Sequence, residues 1–245
     1  MVIKPYLFIL VAFFTLAKSA AQNPEDYTFF DDLIGLKTTK LHNGLHYYNA
    51  FKTTEDRHNF FMSPSYIAGS VDYDGSSFYN VDLKYDLYKD VLVSKAEGNT
   101  NFVDVQLIPE KVSSFTVHDR HFINTHSLNP KNNAVGGFVE LAFSGKQVSF
   151  LIKRWKDASK TIEYRTVTHL FTEKSTYYLF YDGMIRKVTS PKSLVKHFPE
   201  HKKAIRSFIS NPRNKLPNGA SKEDVLINII AYIDSLLATN IKLDQ

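Results

Sequence analysis

The stretch "YNVDLKYDLYKDVLV", Tyr79–Val93, sets tyrosine, valine and leucine against asparagine, aspartate and lysine in a two-residue rhythm. Successive side chains of a strand point to opposite faces. One face would therefore take Tyr79, Val81, Leu83, Tyr85, Leu87, Val91 and Val93, and the other Asn80, Asp82, Lys84, Asp86, Tyr88 and Asp90. The rhythm predicts a long strand with one buried and one wet face, the usual condition of an antiparallel sheet. Asp82 and Asp86 would then stand about 13 Å apart, too far to act as a catalytic carboxylate pair. Lys84 between them reads as part of a solvated charge row.

The same grammar extends in both directions. Asp74-Gly75 and Asp182-Gly183 separate alternating runs, as does Asn43-Gly44 upstream, and such dipeptides favour two-residue hairpin turns. Runs such as "KDVLVSK", "NFVDVQLI", "VSSFTVHD", "GFVELAFSGKQVSFLIKRW" and "STYYLFYDGMIRKVT" bring the expected strands to roughly ten at short spacing, which favours an antiparallel sheet. Tyr177, Tyr178, Phe180 and Tyr181 occupy both faces of one strand, which predicts cover on both sides. After Ser190 the period changes. Ser190-Pro191 suits a helix N-cap followed by proline at the first helical position. Ala204, Ile205, Phe208 and Ile209 form one stripe. Ser221, Glu223 and Asp224 open a last segment whose Val225, Leu226, Ile229, Ile230, Ile233, Leu236 and Leu237 make a wide apolar face. The expectation is an α+β fold: an antiparallel, mostly meandering sheet (curled, half-barrel or barrel-like) followed by C-terminal amphipathic helices. The division is residues 1–21 as a signal peptide, 22–190 as the β domain, and 191–245 as helices packed on the sheet.

The signal peptide is read from "MVIKPYLFILVAFFTLAKSAAQ": a basic start, a short apolar run, then Ser19, Ala20 and Ala21 before a cut ahead of Gln22. It predicts export to the periplasm, the cell envelope or the exterior. The apolar run is short for a membrane span. An outer-membrane barrel fits poorly, because charges mix on both faces of many strands and the chain closes on an amphipathic helix. The chain has no cysteine, which rules out disulfides, thiol catalysis, thiolate metal sites and a lipid anchor on cysteine. Net charge is +5 and falls to +3 if Lys4 and Lys18 leave with the leader, too little for a nucleic-acid signature.

The segments "GSSFYNVDLKYDLYKDVLV", "PEKVSSFTVHDRHF" and "HFPEHKKAIRSFIS" resemble an uncharacterised family of exported β-rich proteins of Bacteroidota. The resemblance runs loosely from Tyr66 to the C-terminus. It implies an envelope location and carries no chemistry.

Candidate sites are few. His118, His121 and His126 in "HDRHFINTH" are weak candidates for a metal site or for an unrecognised hydrolase centre. They match no standard zinc spacing. On one strand His118 and His121 would face opposite ways unless Asp119-Arg120 turned the chain. Asp72, Asp74 and Gly75 begin like a calcium loop, but the further ligands do not follow. HExxH, G-x-S-x-G and glycine-rich phosphate loops are absent, so no cofactor is expected. Lys196, Lys202, Lys203, Arg206, Arg213 and Lys215 surround Glu200 alone. Of these, Lys202, Lys203, Arg206 and Arg213 form a possible anion-binding surface, although a solvated helix back would carry similar charges. The function expected is that of a non-enzymatic binding or interaction module, with an envelope protein, a polymer or an apolar ligand as its partner.

Overall fold

The computed structural model describes residues 41, 44–97, 102–132, 134–163, 165–217 and 219–241. The expected signal peptide and the first half of Asn43-Gly44 lie outside them. The strands form one antiparallel sheet of 11, in the order β1-β5-β4-β3-β2-β6-β7-β8-β9-β10-β11. They are β1 (Leu45–His46), β2 (Ile67–Tyr73), β3 (Ser76–Asp86), β4 (Val91–Glu97), β5 (Phe102–Gln106), β6 (Val112–Val117), β7 (Arg120–Asn124), β8 (Phe138–Ser144), β9 (Val148–Glu163), β10 (Thr166–Tyr181) and β11 (Met184–Val188). Three helices follow: α1 (Pro191–His197), α2 (Lys202–Ser210) and α3 (Lys222–Ile241). The fold is α+β, with the sheet first and the helices last. The sheet does not close, and β1 and β11 are its edges.

Two meanders share β2. One runs from β2 to β5, the other from β6 to β11 on the opposite side of β2. Residues Leu107–Lys111 alone carry the chain from β5 to β6. On a flat sheet those ends would lie about 19 Å apart sideways, with most of the length of β3 added. Six Cα steps reach only about 20 Å. The first strands must therefore curl, and the curl encloses a core of Phe78, Leu83, Tyr85, Leu107, Phe115 and Phe122 with their neighbours. Tyr85, Phe115, Phe122 and Phe138 meet edge-on or stacked at 4.9–6.0 Å between ring centres, the range in which aromatic pairs attract. The turns are those that the dipeptides predict. Asp74 and Gly75, and Asp182 and Gly183, all have positive φ, as a two-residue type I′ turn requires.

The opening stretch departs from its simple reading in two places. Asn80, with φ 54°, bulges out between Gly69–Val81 and Ser70–Tyr79 pairing. One extra residue reverses the alternation, so Phe78, not Tyr79, joins Leu83 and Tyr85 in the core. Gly69 serves the same crossing: a Cβ there would lie 2.2 Å from the Thr116 carbonyl oxygen of β6. The second departure is that the strand ends at Asp86. Residues Leu87–Asp90 turn, and Val91 begins β4. The expected wet face is also buried at this end. Asp86 is fully buried, accepting from Tyr47 Oη (2.7 Å), Asn59 Nδ2 (2.7 Å) and the backbone N–H of Tyr88 and Lys89. Lys84 pairs with Asp104 at 2.8 Å. What buries them is the strap 47–61, which lies across the end of β3 and β4 and joins β10 through Lys52, Thr53 and Arg57. Burial and the Asp86 carboxylate both push the Tyr47 hydroxyl well above the usual tyrosine range, so it remains a donor.

The helices cover the opposite face, the one that carries Leu83 and Tyr85, farther along over β8–β11. Val148, Phe150, Ile152 and Leu179 of the sheet meet Leu194, Ile205, Leu226, Ile230 and Ile233 of the helices. Tyr177 and Tyr181 pack on this layer. Tyr178 and Phe180 pack on the opposite face with Leu151 and Ile185, giving cover on both sides as the sequence implies. α3 is latched by Asp234, whose carboxylate accepts the backbone N–H of Lys146, Gln147 and Val148 at 2.7–3.0 Å. Gly145 makes room for it: a Cβ there would sit 2.4 Å from the carboxylate. Between the two cores lies an ion cluster. Glu140 of β8, 1% exposed, is held by Arg120 and Arg154, and Arg154 also pairs with Glu223 of α3 at 2.8 Å. Burial opposes the charge on Arg154, but its hydrogen bonds to Glu223 and Glu140 outweigh that and raise its pKa.

The outer edge is covered too. Asn132 binds the backbone of Ile185 on β11 twice, donating to its carbonyl at 2.8 Å and accepting from its N–H at 2.9 Å. A covered edge offers no template for another strand.

Candidate functional site

Ser190 and Ser193 form a reciprocal capping box with Pro191 at the first turn of α1. α1 stops at His197, and Pro199 lies in the short turn to α2. Burial lowers the pKa of the half-buried His197, with the charges of Arg186 and Lys196 acting the same way and a hydrogen bond to the Lys187 backbone opposing them. That bond ties the end of α1 to β11. The break turns α2 back across α1 and aligns two pairs of cations. Lys192 and Lys196 stand four residues apart on α1, and Lys202 and Arg206 four apart on α2, so each pair shares one helix face. All four are exposed and line a groove of about 830 Å³. Its walls are Val195, Pro199 and Ile209, of which Val195 is buried against the helical core. Among the described residues, none of the four cations lies within ion-pairing distance of a carboxylate.

The start of α2 makes this arrangement costly. α1 and α3 are capped by Ser190 and by the Ser221–Asp224 pair. α2 has no side-chain cap and no acid in its first turn, and it opens with Lys202 and Lys203. A helix N-terminus carries partial positive charge, so these lysines add like charge to it. An anion in the groove would relieve that repulsion.

Of the four cations expected to form an anion-binding surface, Lys202 and Arg206 line the groove. Lys203 is exposed but is not among its lining residues. Arg213 sits in the 3-10 turn Pro212–Asn214 beyond α2 and also lies outside the lining. Lys192, not singled out in the sequence, joins them. The signal that points to it is the repeated spacing of four on two helices separated by one proline turn.

The histidines stay apart. His118 is in the β6–β7 turn with Asp119, both at positive φ, and its ring stands edge-on to Phe61. His121 on β7 places Nδ1 3.3 Å from Thr116 Oγ1. His126 is exposed in the 3-10 turn at the far end of β7. The chain does turn between His118 and His121, one residue earlier than Asp119-Arg120, yet the rings do not converge. Among the described residues no group of three or more histidine or carboxylate side chains is placed to hold a metal ion. Asp72 is engaged by Ser77 of the hairpin and by Ser114 of β6, and Asp74 by Lys111 just before β6. Among the described residues no helix is long and apolar enough to cross a membrane.

Comparison with known proteins finds no match: no family model, no curated protein and no solved structure is similar to this chain at a significant level.

Proposed function

We propose that this chain is a non-enzymatic binding module, exported to the cell envelope or beyond, whose ligand is anionic and lodges between α1 and α2. One observation carries the reading: four cations from two helices border a single groove, and none of the four is neutralised within the described molecule. Clustered, exposed lysine and arginine side chains repel one another at a modest cost that a bound anion removes. Ammonium and guanidinium groups hold anions by charge and by hydrogen bonding, which suits retention of a ligand. Export rests on the pattern of residues 1–21.

Calorimetric titration of the protein with dodecyl phosphate, kept below its micelle concentration, tests the reading. It requires one site per chain, weakening as salt rises, and a loss of about tenfold or more in the doubly substituted Lys202→Glu/Arg206→Glu protein. His121→Ala leaves the affinity unchanged. Equal affinity in the wild type and the double variant would overturn the proposal.

A further inference from the structure

The groove has a neighbour. A second recess of about 260 Å³ lies beside it, and Ile209 lines both. Its apolar walls are Pro191, Phe208, Leu216, Val225 and Ile229, and the exposed Lys215 also lines it. The asparagines at its margin are already engaged, Asn228 with the Asn214 carbonyl at 3.0 Å and Asn214 with the Phe208 carbonyl at 3.2 Å. A charged vestibule thus borders an apolar recess, with one isoleucine at the boundary.

We propose that the ligand is a single-chain anionic amphiphile, with its headgroup among Lys192, Lys196, Lys202 and Arg206 and its chain running past Ile209 into the recess. The inference rests on the reading of the groove as an anion site and adds the chemical class of the ligand. Charge complementarity selects the headgroup and the apolar recess selects the tail. A free amphiphile fits better than a bilayer surface. Membrane-binding elements present protruding apolar side chains with cations behind them, whereas here the apolar residues line recesses and the cations are the exposed groups. Phosphate, sulfate and carboxylate heads share the required charge, and phosphate serves as the probe.

The test uses the intact protein and four probes: inorganic phosphate, hexyl phosphate, dodecyl phosphate and the uncharged dodecyl maltoside. Each buried methylene contributes about 0.8 kcal/mol, about fourfold in affinity, so affinity should rise from phosphate through hexyl to dodecyl phosphate and level off once the recess is full. Dodecyl maltoside should bind far more weakly than dodecyl phosphate. Val225→Trp, on the recess wall and outside the lining of the groove, should abolish the advantage of dodecyl over hexyl phosphate while leaving phosphate binding in place. Leu216→Trp, at another wall of the recess, should do the same and provides a second variant if the first does not fold. Equal affinity for phosphate and dodecyl phosphate would overturn the amphiphile and leave the anion site standing. Binding to phosphatidylglycerol vesicles with none to monomeric dodecyl phosphate would also overturn it. Tight binding of dodecyl maltoside, or no binding by any probe, would remove both readings.

Discussion

Charged groups in the curled half of the sheet and on the helical layer are treated in opposite ways. In the curled half and at the seam, charge is drawn inside and matched. Asp86 is wrapped by four donors. Asp90 accepts from Tyr85 at 2.5 Å and from Lys153 at 2.6 Å. Lys156 donates hydrogen bonds to the His58 and Phe60 carbonyls at 2.8 and 2.6 Å. On the helical layer the four cations of the groove stand at the surface in a group, with no carboxylate of the described residues within ion-pairing distance. A buried charge must be paired or it destabilises the fold; an exposed, unmatched group is tolerated at a modest cost. The first pattern belongs to architecture, and the second is available for a ligand.

Breaking the seam should have the largest effect. Arg154→Met leaves Glu140 buried with Arg120 alone, and loss of one partner from a buried pair costs about 3–5 kcal/mol. Denaturant unfolding measures this. A loss below about 1 kcal/mol would mean that the cluster is not structural.

Cutting the latch comes next. Asp234→Ala strands three backbone donors of the β8–β9 turn and should cost about 2 kcal/mol. The latch is also acid-sensitive. Burial pushes the Asp234 carboxyl up, but the N–H groups of Gln147, Lys146 and Val148 outweigh it and hold the pKa below the usual aspartate value. A carboxyl depressed in the folded state contributes stability above its unfolded pKa, near 3.9. That contribution is lost as pH falls through the lower folded value. Unfolding followed from pH 6 down to about 2.5 should therefore show a wild-type decline that Asp234→Ala reduces.

The smallest effect on stability should come from the groove, with its sign reversed. Lys202→Glu places an acid at the uncapped start of α2 and should stabilise the protein by about 0.3–1 kcal/mol while weakening anion binding. A variant that became less stable would imply that Lys202 has a structural partner.

Much of this fold is legible in the sequence because turn chemistry and alternation are local. Asp74-Gly75, Asp182-Gly183, the Ser190-Pro191 cap and the stripe of α3 follow from a few neighbouring residues each. What is not legible depends on distant chain. Nothing near Asp86 announces that the strap 47–61 will cover it, and the Asn80 bulge answers to pairing with β2. The groove was half visible. Lys202 and Arg206 declare themselves by composition, but only the return of α2 across α1 brings Lys192 and Lys196 to the same place. Histidines close in sequence suggested a centre, but among the described residues they form no group of three or more metal-ligating side chains.

The most direct test is to follow the backbone amide resonances of the isotopically labelled protein during titration with dodecyl phosphate. The account predicts that shifts concentrate in residues 191–216 and 225–229, largest around Lys196, Lys202, Arg206 and Ile209, and vanish in the Lys202→Glu/Arg206→Glu protein. Shifts centred on the β6–β7 turn around His118 and His121, or spread through the curled half, would contradict it.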